Sequence, residues 1–249
     1  MDKKLKVIAI FIAYKAVKSL EDFYKTFPKE LCDEIILVDD ASGDGTFELA
    51  QRLGITSFEN PINLGYGGNM KQAIKIALEH GADVIIDIHP DGEYKSTAIP
   101  AALKEVRNGA KLVLGNRFYD SHKPTENGMY AYKLLPLYIL NKFAKWALNI
   151  PVDDVHQGFR VYTKDLLEKS NYEKNSNDYL FSFEIIAQAA YNHLSIKQVP
   201  VDTNYTGNKR GASLKKSIIY SLSIFKVIFQ YFLARIGFLQ TKIFKKPTK

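Results

Sequence analysis

The chain has almost no cysteine: Cys32 is the only one among 249 residues. A single thiol cannot form an internal disulfide, so the class of small secreted proteins held together by disulfides is excluded. The N-terminus also lacks the apolar segment and cleavage site of a secretory signal peptide, because charged residues lead directly into a strand-like stretch at Val7. We therefore expect a globular protein in a reducing, cytoplasmic location, with 46% hydrophobic residues available for its core.

Acidic residues are missing from the C-terminal part, where none follows Asp202. Ten of the 34 basic residues lie beyond Asp202, which leaves 24 basic residues against 27 acidic ones in the body, so the body carries −3 and the tail +10. Ile, Leu, Phe and Tyr are interleaved with the basic residues over positions 217–239. This mixture suits an anionic membrane surface better than a nucleic acid, and we expect a protein peripheral to the membrane that binds no nucleic acid.

The tail also lacks a long uncharged apolar run, since Lys226 and Arg235 interrupt it. A membrane span needs about 18 largely uncharged apolar residues, so the pattern favours a helix lying in the membrane interface. Ser223, Lys226 and Gln230 share one helical face. The broad remainder is apolar and comprises Ile218, Leu222, Phe225, Phe229, Phe232 and Ile236. A helix packed on its own domain fits equally well, because periodicity does not identify the apolar partner.

The first half of the chain alternates strand and helix signals. Strands are predicted at residues 7–14, 34–38, 55–58, 84–88 and 111–114, and helices at 17–27, 45–53, 68–80 and 96–108. Most of the strands are continuous Val, Ile and Leu runs, which are typical of parallel strands buried on both faces. The rhythm predicts an α/β fold with an open, mostly parallel, doubly wound sheet.

After Arg117 the pattern becomes more helical. An amphipathic helix is predicted at residues 130–149, with Leu135, Ile139, Phe143 and Trp146 on one face. A short motif at 153–162, a helix at 179–192 and a strand at 195–201 follow. We predict one domain over residues 1–212 and a basic amphipathic tail over residues 213–249.

Two predicted strands end in acidic residues, at the edge of the sheet where open α/β proteins bind ligands. Asp39 and Asp40 follow the second strand, and paired carboxylates there can bind a base and a ribose or a hard metal ion. A turn with Asp44 capping the next helix explains the same residues.

A second acidic cluster follows the fourth strand. His89, Asp91 and Glu93 occur at every second residue, so an extended backbone would direct them to one side, where they could share a divalent cation. A Pro-Asp-Gly turn with Asp91 capping it is the alternative.

The Gly-rich loop at residues 60–69 opens a helix and could bring backbone N–H groups of Gly65 and Gly68 close to a phosphate. Its spacing fits neither the dinucleotide-binding pattern, because Met70 occupies the last glycine position, nor the P-loop pattern. A dehydrogenase and a P-loop nucleotide hydrolase are therefore disfavoured. A sugar-phosphate nucleotidyltransferase is expected to have a Gly-rich phosphate loop after the first strand. The first glycine here is Gly43, after the second predicted strand, so this class is also disfavoured.

In this order and at these strand ends, the three elements resemble the family-2 glycosyltransferases with the GT-A fold, above all the dolichyl-phosphate mannose synthase-like branch. The likeness runs from Val7 to about Ser213. Its motifs are the first-strand loop with Ala13 and Tyr14, Val-Asp-Asp-Ala-Ser-Gly-Asp-Gly-Thr at 38–46, Gly-Asn-Arg-Phe at 115–118, Asp-Val-His-Gln-Gly-Phe-Arg at 154–160, and the closing helix and strand with Phe-x-Phe-Glu at 181–184 and Val-Pro-Val at 199–201. Two motifs depart from the family. In the metal-binding Asp-x-Asp motif His89 replaces the first carboxylate and Glu93 replaces the usual Gln, and in the first loop Lys15 and Ala16 replace Asn and Glu.

The resemblance implies inverting transfer of a sugar from a nucleoside diphosphate donor. Ala13, Tyr14, Asp39, Asp40, Gly65, Gly68 and Asp91 would bind the donor, and His89, Asp91 and Glu93 would hold Mn²⁺ or Mg²⁺. Arg117 and Arg160 are candidates for binding phosphate oxygens, although an ion pair with the acidic body explains Arg117 nearly as well.

The acceptor determines whether a base is needed. For a sugar hydroxyl, Asp154 is the candidate general base, whereas a polyprenyl phosphate is already an anionic nucleophile. The two amphipathic segments and the cationic tail favour the lipid phosphate as acceptor. A transferase that extends a glycan and a non-catalytic membrane-surface module that binds nucleotide sugars are the alternatives.

Overall fold

The computed structural model describes residues 4–120, 122–205 and 214–245. Its centre is a seven-stranded sheet with the strand order β3-β2-β1-β4-β6-β5-β7. The strands are β1 (Val7–Ala13), β2 (Glu34–Asp39), β3 (Thr56–Glu59), β4 (Val84–Asp87), β5 (Leu112–Asn116), β6 (Arg160–Thr163) and β7 (Ile196–Pro200). All neighbouring pairs are parallel except those of β6, which runs antiparallel to β4 and β5. The predicted open, mostly parallel sheet is confirmed.

Strand β6 is the strand that sequence reasoning missed. Its four residues, Arg-Val-Tyr-Thr, lie at the end of the 153–162 motif and lack the continuous Val, Ile and Leu run that marks most of the predicted strands. It fills the space between β4 and β5, pairing Asp87 with Arg160 and Val113 with Val161. Because β6 is antiparallel, its first residue, Arg160, lies at the edge where the parallel strands end.

Helices cover both faces of the sheet. They are α1 (Leu20–Thr26), α2 (Thr46–Arg52), α3 (Tyr66–Glu79), α4 (Ile99–Arg107), α5 (Lys123–Glu126), α6 (Ala131–Leu148), α7 (Lys164–Lys169), α8 (Phe181–Tyr191) and α9 (Leu214–Arg235). Successive residues of β1 point to opposite faces: Ile10 joins a core with α3, α6, α8 and α9, whereas Phe11 joins a core with α1, α2 and α4. The strand is therefore buried on both faces, as its unbroken apolar run predicts.

Helix α9 is part of the main hydrophobic core. Ile224, Val227, Ile228 and Tyr231 are buried among residues of α6 and α8, so the helix packs on its own domain along one face. The six apolar residues predicted for the non-polar face are not among these buried residues, although the ring of Phe225 contacts that of Phe143 of α6, with centroids 5.0 Å apart. They form an exposed stripe, Ile218, Leu222, Phe225, Phe229, Phe232 and Ile236. The domain boundary predicted at residues 212 and 213 lies outside the described residues.

Helix α6 has its apolar stripe turned outward. Leu135, Ile139 and Trp146 are exposed, while Asn141 is buried and its side-chain oxygen accepts a hydrogen bond from the backbone N–H of Val155 at 3.0 Å. A groove of about 460 Å³ runs between α6 and α9, and its lining is almost wholly apolar: Leu135, Pro136, Ile139, Leu140, Phe143, Ser221 and Phe225.

Within the described residues, one helical stretch, Ile218–Arg235, is long and apolar enough to cross a membrane by length and composition alone. Lys226 and Arg235 therefore do not exclude a span by composition, contrary to the sequence argument. This is weak evidence for a span, because core helices of soluble proteins pass the same test, and 28% of the stretch is buried inside the protein.

The packing of α9 predicts that two isoleucines on its two faces contribute very differently to stability. Ile224→Ala should lower the free energy of unfolding by about 2–5 kcal/mol, because it opens a cavity in the core. Ile218→Ala, the matched change on the exposed stripe, should alter it by no more than about 0.5 kcal/mol. Urea denaturation followed by circular dichroism measures both, and equal effects would show that α9 does not pack as described.

Candidate active site

The predicted site residues meet at one edge of the sheet. Ala13, Asp39 and Asp87 are the last residues of β1, β2 and β4. Arg117 follows β5, and Arg160 begins the antiparallel β6. Side chains from five strands therefore surround one region, as expected for the ligand-binding edge of an open α/β sheet.

Asp39 is buried against the turn that follows β2. The backbone N–H of Ser42 donates to Oδ2 of Asp39 at 2.9 Å, and the Ser42 hydroxyl donates to Oδ1. Burial raises the pKa of Asp39, against the effect of these hydrogen bonds. Asp44 accepts from the backbone N–H of Thr46 at 3.0 Å, which is the capping role that the turn interpretation gave it.

Asp40 holds the Gly-rich loop in place. Its Oδ1 accepts from the side-chain amide of Asn60 at 2.9 Å and from the backbone N–H of Leu64 at 2.8 Å, and its Oδ2 accepts from the backbone N–H of Gly65 at 3.0 Å. Both oxygens of Asp40 thus position the loop, and 3% of the residue is exposed. Its expected role in binding the donor stays a prediction.

The glycines of this loop serve packing rather than phosphate binding. The backbone N–H groups of Gly67 and Gly68 donate to the carbonyl of Asn177 at 2.8 and 3.3 Å, and that of Gly65 donates to Asp40. A Cβ on Gly65 would lie 2.7 Å from the Asn177 carbonyl oxygen, and one on Gly68 would lie 2.7 Å from Cβ of Leu64. The expectation that Gly65 and Gly68 present free N–H groups to a phosphate is therefore wrong.

His89, Asp91 and Glu93 do not converge as an extended strand would make them. The chain turns after β4, with Gly92 at φ +73°, and Oδ1 of Asp91 accepts from the backbone N–H of Glu93 at 2.9 Å, as the turn interpretation predicts. Among residues 4–120, 122–205 and 214–245, no three His, Cys, Asp or Glu side chains are grouped to hold a metal ion. Burial, and next the charge of Asp91, raise the pKa of Glu93.

Asp154 and Arg117 form a buried, bidentate ion pair. Nε of Arg117 donates to Oδ2 of Asp154 at 2.7 Å and Nη2 donates to Oδ1 at 2.9 Å, while the Arg117 backbone N–H also donates to Oδ2. Further donors of the guanidinium bind the carbonyl of His156 at 2.7 Å and the hydroxyl of Tyr205 at 3.1 Å. Burial pushes the pKa of Asp154 upward, but the charge and hydrogen bonds of Arg117 outweigh it and lower the pKa.

This pairing bears on two expected roles. Both oxygens of Asp154 accept from Arg117, and the guanidinium is engaged by Asp154, His156 and Tyr205. The ion-pair interpretation of Arg117 describes these contacts, whereas the general-base role of Asp154 and the phosphate-binding role of Arg117 stay predictions.

Arg160 is enclosed by a second polar cluster. Its Nη1 donates to the hydroxyl of Tyr66 at 3.2 Å and contacts Oδ2 of Asp87 at 3.4 Å, and its Nη2 donates to the carbonyl of Gln157. Tyr162 also donates to Oδ2 of Asp87, at 3.1 Å. Only 3% of Arg160 is exposed, so in this conformation it faces the protein and not an incoming phosphate.

Sequence reasoning underrated Asp87 and missed Tyr66. Sequence reasoning assigned Asp87 no role, because the antiparallel strand that brings Arg160 beside it was not predicted. Tyr66, at the start of α3, had no motif signal.

His156 connects the site to helix α9. Its Nδ1 lies 3.1 Å from the hydroxyl of Tyr220, and its ring lies 5.8 Å from that of Phe183. Burial lowers the pKa of His156 to about 3, so the ring is neutral at physiological pH. It does not pair with Asp154, which Arg117 occupies.

The sheet and the carboxylates at its edge define the class of α/β proteins that bind ligands beside the ends of parallel strands. A model of the family described as Glycosyl transferase family 2 matches residues 10–170, and the chain belongs to this family. The glycosyltransferase class predicted from the motifs is confirmed.

Curated relatives support the predicted branch of the family. Polyprenol monophosphomannose synthase of Mycolicibacterium smegmatis is 25% identical over 200 residues, covering 78% of this chain and 74% of that protein. Undecaprenyl-phosphate mannosyltransferase of Micrococcus luteus is 27% identical over 210 residues, covering 79% of this chain and 83% of that protein. The resemblance to the dolichyl-phosphate mannose synthase-like branch is thereby confirmed.

The fold is shared with solved structures. Glucosyl-3-phosphoglycerate synthase from Mycobacterium tuberculosis, crystallised with Mn²⁺, uridine-diphosphate-glucose and phosphoglyceric acid, superimposes with a TM-score of 0.65 at 15% identity. The match covers 95% of this chain and 81% of that chain. At this identity the likeness shows the fold alone, and it confirms the GT-A fold.

The buried pair predicts how Asp154→Asn affects stability. Leaving Arg117 unpaired should cost about 3–5 kcal/mol of the free energy of unfolding at pH 7. The pKa of Asp154 lies below its ordinary value of 3.8, so the carboxylate stabilises the fold above pH 3.8 and this contribution disappears as the pH falls through the lowered pKa. The difference between parent and variant should therefore narrow below pH 3.8.

Asp153→Asn is the matched control for this measurement. Asp153 pairs with Lys145 at 2.7 Å, and 39% of its side chain is exposed, so the substitution should cost no more than about 1 kcal/mol. Urea denaturation at a series of pH values measures both variants. A small effect of Asp154→Asn at pH 7 would show that the pair is not buried as described.

Proposed function

We propose that this glycosyltransferase moves a sugar from a nucleoside diphosphate donor to a polyprenyl phosphate, with inversion at the anomeric carbon. The relatives named for polyprenol monophosphomannose synthesis and for undecaprenyl-phosphate mannosyl transfer support this choice of acceptor. Asp39, beside Ala13 and Tyr14 at the ends of β2 and β1, is the carboxylate proposed to contact the nucleoside.

The engagement of Asp154 is the observation that carries the proposal. A sugar hydroxyl must lose its proton to a positioned base, and the motif carboxylate expected to serve as that base is held at both oxygens by Arg117. A polyprenyl phosphate is already anionic and attacks without such a base. Transfer to a phosphate therefore agrees with the contacts of Asp154 better than extension of a glycan does.

We propose that the residues after β4 bind a divalent cation together with the phosphate oxygens of the sugar donor. Mg²⁺ and Mn²⁺ sites in nucleotide enzymes use one or two protein carboxylates, and substrate phosphate oxygens supply further ligands, so three converging side chains are not required. We propose Asp91 as the principal ligand, with His89 or Glu93 beside it. When bound, the cation would neutralise the charge that develops on the departing diphosphate.

The outward apolar stripes of α6 and α9 are proposed to face the membrane that holds the acceptor. Trp146 and Leu135 of α6 are about 70% exposed, as is Phe229 of α9 at 63%, which is costly in water without an apolar partner. The cationic tail would add attraction to anionic lipid head groups. The protein would then act at the cytoplasmic face of the membrane, with the polyprenyl chain beside the groove between the helices.

The acceptor is tested by incubating the purified chain with radiolabelled UDP- and GDP-sugars and either undecaprenyl phosphate or free sugar acceptors. We expect label in the lipid fraction and none on the free sugars. Asp91→Asn, which removes the proposed cation ligand, should abolish the transfer. Label on a sugar hydroxyl with none on the lipid phosphate would establish the glycan-extending alternative.

Membrane contact is tested by replacing Trp146 and Phe229 with serine. A fully buried large apolar side chain contributes about 1.5–3 kcal/mol, so the double variant should bind vesicles of phosphatidylglycerol at least tenfold more weakly. Leu5→Ser, an exposed apolar residue outside α6 and α9, should leave binding unchanged. Equal co-sedimentation of the parent and the double variant would mean that the stripes do not meet lipid.

A further inference from the structure

Two buried polar atoms with complementary chemistry lie beside each other under the candidate site. Oδ1 of Asp87 and Nε2 of His89 are both buried, and neither has a hydrogen-bond partner within the described part of the chain. They are 3.7 Å apart, which is a few tenths of an ångström beyond a hydrogen bond. A buried polar atom without a partner is costly, so two adjacent ones point to a pairing that a small movement of the His89 ring completes.

The other contacts of Asp87 leave Oδ1 directed at His89. Its second oxygen, Oδ2, is occupied by the hydroxyl of Tyr162 and by Nη1 of Arg160. Arg160 also balances the carboxylate charge at a position where Asp87 has no exposure to solvent. Two donors on Oδ2, one of them a guanidinium, are the surroundings of a carboxylate, and a carboxylate accepts hydrogen bonds, so the facing nitrogen of His89 is the one that carries a hydrogen.

We infer that Asp87 is a positioning residue that accepts a hydrogen bond from Nε2 of His89 and thereby selects the tautomer that leaves the lone pair on Nδ1. A metal-binding histidine commonly donates its other ring N–H to a carboxylate, which fixes the ring and selects the coordinating nitrogen. In this chain His89 stands where the family has a carboxylate. The buried Asp87 would then fix, from behind the imidazole, which ring nitrogen faces a ligand.

The inference that Nδ1 of His89 faces a cation rests on the proposed function. The inference about the tautomer of His89 does not rest on it. Nδ1 becomes the nitrogen available to a divalent cation that Asp91 also binds. If the chain transferred sugar without a cation, the tautomer would be unaffected. If the tautomer were wrong, the acceptor assay would be unaffected, so the two proposals fail separately.

The test is a long-range ¹H–¹⁵N correlation spectrum of the full chain labelled with ¹⁵N-histidine, recorded at pH 8.5, where an ordinary histidine is neutral. The sequence has five histidines, and His89→Gln identifies the signals of His89. We expect a protonated Nε2 and a bare Nδ1. A protonated Nδ1 with a bare Nε2 would mean that Asp87 carries the proton and donates it, and two protonated nitrogens would mean a fixed imidazolium; either result overturns the inference.

Two variants separate the Oδ1 contact from general packing. Asp87→Asn keeps the shape but removes the obligatory acceptor, so the population protonated at Nε2 should fall. Tyr162→Phe removes a donor to the opposite oxygen, Oδ2, and should leave the His89 signals unchanged. Equal changes in both variants, or none in Asp87→Asn, would contradict the role of Asp87. If Asp87→Asn does not fold, the spectrum of the parent chain decides alone.

Discussion

The buried pair between Arg117 and Asp154 is the constraint on which the site depends. It joins the end of β5 to the loop that precedes β6, and the same guanidinium extends to the carbonyl of His156 and the hydroxyl of Tyr205. Taking two charges out of water is expensive, and such a pair is tolerable only when nearly every donor and acceptor is satisfied. Five hydrogen bonds meet that condition here and fix the loop in one conformation.

Two other buried aspartates complete the same type of construction. Asp40 fastens the Gly-rich loop through two backbone N–H groups and Asn60, and Asp87 fastens the start of β6 through Arg160 and Tyr162. Acidic residues at strand ends thus organise the loops of this fold, and Asp91, four residues beyond β4, is the carboxylate proposed to meet a ligand.

The sequence predicted the parts of the fold that periodicity records. The buried strands β1, β2 and β4 are unbroken apolar runs, and in the helices between them the apolar residues recur at the helical period. The order of these elements and the ligand-binding edge of the sheet could therefore be predicted. Strand β6 was not predictable, because its four residues pair with strands far away in the sequence and carry no local signal. The residues it brings together, Asp87 and Arg160, could not be paired without it.

The motif residues were correctly predicted to lie at the ligand-binding edge of the sheet, but the residues that they contact could not be predicted. The sequence pattern around a motif carboxylate does not show whether the carboxylate faces a ligand or a guanidinium. Only the fold shows that Asp154 faces Arg117. In the same way, the glycines at 65 and 68 suggested free N–H groups, whereas close packing against Asn177 explains them. Residue type predicted which positions matter, and long-range contacts determined what they do.

The orientation of α6 is another feature that the sequence alone does not determine, and it bears on the proposed function. Amphipathic periodicity identifies two faces without saying which one is inside, and here Asn141 points inward to the backbone of Val155 while Trp146 points outward. The exposed apolar surfaces of α6 and α9 are tied to the site through His156, which follows Asp154 by two residues and lies 3.1 Å from Tyr220 of α9. On the proposed function, a lipid held at these helices would have its phosphate close to the strand ends, because the contact that orders the motif also fixes the helix beside it.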